Sequence, residues 1–197
     1  MTADLTGKHL VIFARRPAFG VGKRRLARDV GDLEALRFAR SSLARLLRTL
    51  GRDQRWTLWI ATSPDHPTDW TRPWRAVAQG PGDLGEKLSR VVRALPPGPV
   101  VILGADTPDV SRADVAAAFA ALGSNDAVFG PAPDGGYWLI GLRRRLRTHL
   151  PFVNVRWSTR HALADTFEAM NDRPTALLRI LEDVDDGPSL RRYLARR

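Results

Sequence analysis

The chain has 197 residues, 44% of them apolar, enough for one domain with a sizeable core. It has no cysteine, which excludes disulfides, thiolate metal sites and zinc-finger readings. The net charge of +10 suits an acidic partner, either nucleic acid or a phosphorylated small molecule. Only Lys8, Lys23 and Lys87 are lysines, and the arginines are spread along the chain rather than gathered in a tail. A solvated basic surface is therefore expected rather than a nucleic-acid face, with no specific nucleic-acid partner. His9, His66, His149 and His161 show no metal-ligand spacing. No apolar run approaches membrane-spanning length, and Leu10 to Ala14 is too short for a signal-peptide core, so a cytoplasmic location and no membrane partner are expected.

Lys8 to Ala14 reads as the first strand. After it, Arg15 to Ala27 (RRPAFGVGKRRLA) places Gly20 and Gly22 among basic residues. Such a loop can bring backbone N–H groups close to phosphates, with Lys23 and Arg25 to neutralise them. It is neither a Walker A loop, since Arg24 stands where Ser or Thr would follow the Lys, nor G-x-G-x-x-G. The competing reading is a surface loop with solvated arginines. Leu33, Leu36, Leu43, Leu46, Leu47 and Leu50 recur at helical spacing before Gly51, which predicts a core-facing helix. Trp56 to Thr62 predicts a second strand, the Pro-rich stretch Ser63 to Arg75 a loop, and Arg75 to Gln79 a short strand.

Gly80 to Gly85 leads into a helix whose apolar face is Leu84, Leu88, Val91, Val92 and Leu95, with Asp83 and Glu86 at capping-box spacing. Val100 to Gly104 is an apolar, β-branched run too short for a helix and reads as a strand buried on both faces. Asp106 then falls beyond its carboxyl end, where ligands sit in sheets of this kind. Alone it could equally cap a turn. Ser111 and Asp114 have capping-box spacing ahead of a helix to Leu122. Asp126 to Gly130 and Tyr137 to Leu142 predict two more strands. Between them Gly135 and Gly136 make an open turn that lets a ligand or another backbone approach closely. Ser158 or Thr159 is a natural N-cap for a helix from Arg160 to Ala169, or a helix start that holds an anion. Ala176 to Val184 predicts a strand ending in Asp183 and Asp185, and Ser189 to Leu194 a terminal helix.

Strands and helices alternate throughout, which predicts an α/β three-layer sandwich with a mostly parallel sheet in one domain over residues 1–197. Three carboxylates, Asp106, Asp183 and Asp185, fall at predicted strand ends. Hard oxygen ligands of this kind suit Mg²⁺ or Mn²⁺ together with substrate phosphates.

The runs FARRPAFGVGKRRLA, GDLGEK, LGADTPDV, GPAPDGGYWLIGL, RWST and LEDVD resemble, in order and over Lys8 to Leu194, a bacterial family of glycosyltransferase A-like proteins. That family lies in the nucleotide-diphosphosugar transferase superfamily, and its members are described as radical-SAM/selenodomain-associated or as arsenosugar-biosynthesis glycosyltransferases. More distantly the chain is similar to 2-phospholactate and molybdenum-cofactor guanylyltransferases. The resemblance implies a Rossmann-like GT-A fold and a metal-dependent transferase that uses a nucleoside triphosphate or nucleotide sugar and a small acceptor. Lys23 and Arg25 match a Lys-Thr-Arg-Leu run and would be the catalytic cations, with Arg24 in place of Thr. The implied nucleotide-binding set is Arg15, Gly20, Gly22, Lys23, Arg25 and Gly104. The implied metal set is Asp106, Asp183 and Asp185, with Mg²⁺ or Mn²⁺ as cofactor. The implied acceptor set is Asp134, Gly135, Gly136, Trp157, Ser158 and Thr159. The chain departs from the pattern at Phe19, and at Gly187 and Ser189, where relatives carry Pro and Asp. Glycosyl transfer is the leading expectation and nucleotidyl transfer the alternative. A non-catalytic nucleotide-binding module is the reading from another class.

Overall fold

A computed structural model describes residues 7–65, 69–144 and 148–196. His66, within the Pro-rich stretch, lies outside them. Seven strands form one sheet: β1 (His9–Arg15), β2 (Thr57–Ser63), β3 (Arg75–Ala78), β4 (Val100–Gly104), β5 (Ala127–Pro131), β6 (Tyr137–Leu142) and β7 (Thr175–Leu177). Their order is β3-β2-β1-β4-β6-β5-β7. β1 pairs in parallel with β2 and β4, β2 with β3, and β5 with β7, while β6 runs antiparallel to β4 and β5. The α/β class and the mostly parallel mixed sheet are as the sequence predicts. Among the described residues no helix is long and apolar enough to cross a membrane.

The helices are α1 (Arg24–Val30), α2 (Asp32–Leu50), α3 (Leu84–Ala94), α4 (Arg112–Ala121), α5 (Ala162–Glu168) and α6 (Gly187–Ala195). The period-2 alternation of the central strands sends their side chains to two apolar layers. Leu10, Ile12, Val101 and Leu103 meet Leu46 and Leu50 of α2 and Val115 and Phe119 of α4. Val11, Val100 and Ile102 meet Leu88, Val91 and Val92 of α3 on the other face. Each such side chain, fully buried, stabilises by roughly 1.5–3 kcal/mol. A third, smaller cluster of Leu26, Ala35, Phe38, Val184 and Tyr193 ties α1, α2 and α6 to the C-terminal segment. Both predicted capping boxes form, Asp83 with Glu86 and Ser111 with Asp114.

Four expectations are corrected. Leu33 and Leu84 are solvent-exposed rather than core-facing, because each sits in the first turn of its helix, ahead of the stretch that packs on the sheet. The predicted strand Ala176 to Val184 contributes only Thr175–Leu177 to the ladder. β7 is an edge strand, and beyond it the chain runs past the end of β5, with single hydrogen bonds from Leu178 N to Phe129 O and Leu181 N to Pro131 O. Asp183 and Asp185 therefore lie in an irregular segment, not at a strand end. The helix expected from Arg160 begins at Ala162, with His161 at its N-cap instead of Ser158 or Thr159.

The amino end of β1 carries a buried histidine. Trp59 Nε1 donates to His9 Nδ1 at 3.3 Å, which leaves the Nε2–H to donate to Pro97 O at 3.1 Å and the ring neutral. Burial holds its pKa below the ordinary 6.5, aided by Arg144 and Arg75 and opposed by the Pro97 hydrogen bond. The unfolded chain then binds this proton at a higher pH than the folded one. The stability is complete above about pH 6.5 and is lost as pH falls through the lowered folded pKa. Wild type is expected to lose unfolding free energy below about pH 6.5 more steeply than His9→Gln. Urea melts across a pH series check this; parallel profiles would contradict the neutral-ring assignment.

Candidate nucleotide and metal site

The parallel register of β1, β2 and β4 brings their carboxyl ends to one edge, with Arg15 beside Ser63 and Phe13 beside Gly104. The loop leaving β1 turns back tightly: Ala18 and Val21 form an antiparallel bridge, and Val21 N donates to Ala18 O at 3.1 Å. Gly20 and Gly22 take φ of 69° and 74°, and Lys23 takes 46°. For a lysine that left-handed backbone costs on the order of 1–3 kcal/mol, so the surroundings must hold it. They do so through the ammonium.

Lys23 Nζ donates to Val184 O at 2.6 Å and to Asp185 Oδ1 at 2.8 Å, and lies 2.9 Å from Asp106 Oδ1. Its side chain is 9% exposed, and the ring of Phe38 lies 5.7 Å from Nζ. Burial alone would lower the ammonium pKa, but the two carboxylates reverse this and hold it above the ordinary lysine value. Enclosure at the cavity floor pushes the Asp106 carboxyl up against the pull of Lys23.

The C-terminal segment reaches this point because it is pinned on both sides. Val184 N donates to Asp106 O at 3.0 Å. Asp186 caps α6 by accepting from Ser189 N, and Gly187 N donates to Asp29 of α1. Ser189 Oγ in turn accepts from Asp185 N at 3.0 Å. Ser189 thus ties the backbone of Asp185 to the first turn of α6. Asp183 hydrogen-bonds the buried Thr107 hydroxyl. Burial pushes its carboxyl up to about 6, with Thr107 pulling it down and Asp106 and Asp185 adding to the rise.

Lys23 brings Asp106 and Asp185 together, and Asp183 lies near enough to feel the charge of both, but among the described residues no group of three His, Cys, Asp or Glu side chains is arranged to hold a metal ion. The reason is local: Lys23 stands between Asp106 and Asp185, and Asp183 is turned to Thr107. Two of these carboxylates, Asp106 and Asp185, already converge on a cation, the lysine ammonium, and oxygen donors of this kind suit a hard divalent cation.

Above this cluster opens a cavity of about 390 Å³ whose wall includes Arg15, Arg16, Gly22, Lys23, Arg24 and Arg25, with Asp106 and Asp185 at its acidic side. Arg15, Gly22, Lys23 and Arg25 of the predicted nucleotide set thus come together. Gly20 lies at the tip of the turn and Gly104 at the end of β4. Arg16 and Thr107 were not singled out from the sequence, although both adjoin residues that were.

The predicted acceptor residues form a separate unit, and none of them lines this cavity. Gly135 has φ 84°, and a Cβ there would overlap the carbonyl of Arg160. The close approach that its sequence position left open is thus made by backbone. Gly136 N donates to Asp134 Oδ1, and Gly135 O accepts from Leu163 N at 3.0 Å. Trp157 packs beside Tyr137 and Phe152 at the edge of the core. Ser158 adopts φ 59°, and Thr159 Oγ1 donates to Arg156 O and accepts from His161 N. Arg156 clamps Asp165 with both arms of its guanidinium, which holds that carboxyl down at about 2. Gly135→Ala is expected to lower unfolding free energy by about 1–3 kcal/mol, and Gly136→Ala by clearly less. Denaturant titration of both variants checks this; equal costs would remove the backbone contact as the reason for Gly135.

No functionally curated protein matches the chain in sequence. Among solved structures, a candidate nucleotide-diphospho-sugar transferase from Desulfovibrio desulfuricans G20 superposes with a TM-score of 0.80 at 28% identity, over 92% of this chain and 83% of that one. A 4-diphosphocytidyl-2C-methyl-D-erythritol synthase from Anaerococcus prevotii DSM 20548 gives 0.64 at 13% identity, over 98% and 100%. Glucosyl-3-phosphoglycerate synthase from Mycobacterium tuberculosis, solved with Mn²⁺, UDP and phosphoglyceric acid, gives 0.52 at 14% identity, over 97% and 75%. The fold is thus that of the nucleotide-sugar transferases. A family model described as "Uncharacterized protein conserved in bacteria (DUF2064)" matches residues 46–159, more than half of the sequence, and the chain belongs to that family.

Proposed function

We propose that this chain is a divalent-metal-dependent transferase that moves a glycosyl group from a nucleotide sugar to a small acceptor. The observation that carries the reading is the meeting of two carboxylates, Asp106 and Asp185, with an arginine-lined cavity at the carboxyl ends of β1 and β4. Acidic ligands on one side and cations on the other suit a nucleoside diphosphate bridged to a metal. The resemblance to arsenosugar-type and radical-SAM/selenodomain-associated glycosyltransferases supports glycosyl transfer, as does the likeness to the Desulfovibrio protein. The Mn²⁺ and UDP bound by glucosyl-3-phosphoglycerate synthase support a nucleotide with Mn²⁺ or Mg²⁺.

Asp106 and Asp185 would hold the metal, with Asp183 beside them, and the bound ion would offset charge on the departing diphosphate. Arg15 and Arg25 bind and orient the phosphates from the opposite wall, aided by the backbone of the Gly20–Gly22 turn. Lys23 joins them once it leaves its carboxylates. The bond from the anomeric carbon to the phosphate oxygen breaks, the acceptor oxygen bonds that carbon, and the acceptor proton passes to a base. A second reading, attack of an acceptor phosphate on the α-phosphorus of a nucleoside triphosphate, is favoured by the fold shared end to end with the cytidylyl-type synthase.

Thermal denaturation with nucleotide sugars and nucleoside triphosphates, each with and without Mn²⁺, tests the reading. A matching nucleotide at a hundred times its Kd is expected to stabilise wild type by about 2.7 kcal/mol when Mn²⁺ is present. Asp106→Asn is expected to lose the metal-dependent part. Release of nucleoside diphosphate marks glycosyl transfer and release of pyrophosphate marks nucleotidyl transfer. Absence of stabilisation by every nucleotide would reject both.

A further inference from the structure

We infer that Lys23 is a resident counter-cation that competes with the divalent metal for Asp106 and Asp185, so that arrival of the metal releases the ammonium into the cavity. The inference rests on the metal reading of the site proposed above. An ammonium has three N–H donors, and in Lys23 all three are engaged, by Val184 O, Asp185 Oδ1 and Asp106 Oδ1 at 2.6, 2.8 and 2.9 Å. No N–H remains for a phosphate oxygen. The ammonium sits on the same oxygens that a hard cation would coordinate. Two cations cannot share that gap, because each would stand within contact distance of the other on shared carboxylate oxygens.

The surroundings favour this arrangement. The backbone of Lys23 is held in the left-handed region at the start of α1, which aims its stem across Phe38 toward the C-terminal segment. The carbonyl of Val184 fixes the third donor, and Val184 is itself buried and bonded to Asp106 O. Lysine suits the role better than the neighbouring arginines, since a compact ammonium fits between two carboxylates where a planar fork would not. The consequence is an exchange. The ammonium leaves the carboxylates as the metal arrives, and a phosphate held in the cavity by Arg15 and Arg25 would be its next acceptor. Metal and phosphate binding are thereby coupled through one side chain, and the coupling is reciprocal.

Mn²⁺ alone, titrated by electron paramagnetic resonance, tests the competition. Lys23→Met and Lys23→Gln remove the charge, and the Gln variant keeps a donor for Val184 O. Both are expected to bind Mn²⁺ at least about tenfold more tightly than wild type. A second measurement uses wild type only. With just three lysines in the chain, acetic anhydride labelling read by mass spectrometry resolves each one. Lys23 is expected to be protected without metal and to label faster with Mg²⁺ present, while Lys8 and Lys87 stay unchanged as internal references. If wild type binds Mn²⁺ and the variants bind it no better, or Lys23 stays protected with metal bound, the competition is overturned and the transferase reading stands. If neither wild type nor variants bind Mn²⁺, the metal reading fails and the competition fails with it.

Discussion

The ammonium of Lys23 joins three parts of the chain that the sheet alone would leave apart. The loop after β1 supplies the lysine, the end of β4 supplies Asp106, and the segment before α6 supplies Asp185 and the carbonyl of Val184. Lys23 is buried while both carboxylates are about half exposed, so it is the lysine whose charge would be left uncompensated if either carboxylate were removed. The small cluster of Leu26, Phe38, Val184 and Tyr193 works with it, because it fixes α1, α2 and α6 around the same point. A strained lysine backbone persists there because its side chain is held from three directions.

The sheet was legible in the sequence because its strands carry apolar runs bounded by Gly and Pro, as at Val100–Gly104. Where the sequence misled about a strand, packing on one side only was the reason. Ala176 to Val184 has the composition of a strand, yet β7 has a single neighbour and β5 ends at Pro131. Ile180 is 65% exposed for that reason, and the apolar run leaves the sheet after three residues. α1 escaped notice because its seven residues bury only Leu26, too few positions for a helical period to show.

The candidate site was legible as a set of residue types but not as a set of bonds. Asp106 could be placed from the end of a buried strand, whereas Asp183 and Asp185 were read at the end of a strand that stops at Leu177. Nothing in the residue pattern showed that Lys23 faces carboxylates rather than solvent, because that depends on a positive φ at a non-glycine residue and on a contact 162 residues away along the chain. Spacing could not separate the two uses of Gly135 either. A tight turn that admits a ligand and one that admits a backbone carbonyl require the same glycine.

The excess of arginine can now be divided by what each side chain does. Arg144 reaches the carbonyls of Leu95 and Pro96 beyond the end of α3, Arg112 the carbonyl of Thr49 in the last turn of α2, and Arg90 those of Gln79 and Pro81. Such bonds satisfy backbone acceptors at helix and strand ends, where the fixed fork of the guanidinium spans two carbonyls better than a lysine could. Arg55, Arg156, Arg179 and Arg192 pair with Asp53, Asp165, Asp114 and Glu182, each a half-exposed guanidinium closing over a largely shielded carboxylate. Arg15, Arg16, Arg24 and Arg25 are different, because they are consecutive pairs on one wall of a concave site whose acidic residues are already engaged by Lys23. Positive charge gathered in a cleft is focused by its low-dielectric walls, whereas the same charge scattered over a surface is screened. The net charge of the chain is therefore a poor guide to its partner, and the local charge of this cavity is the better one.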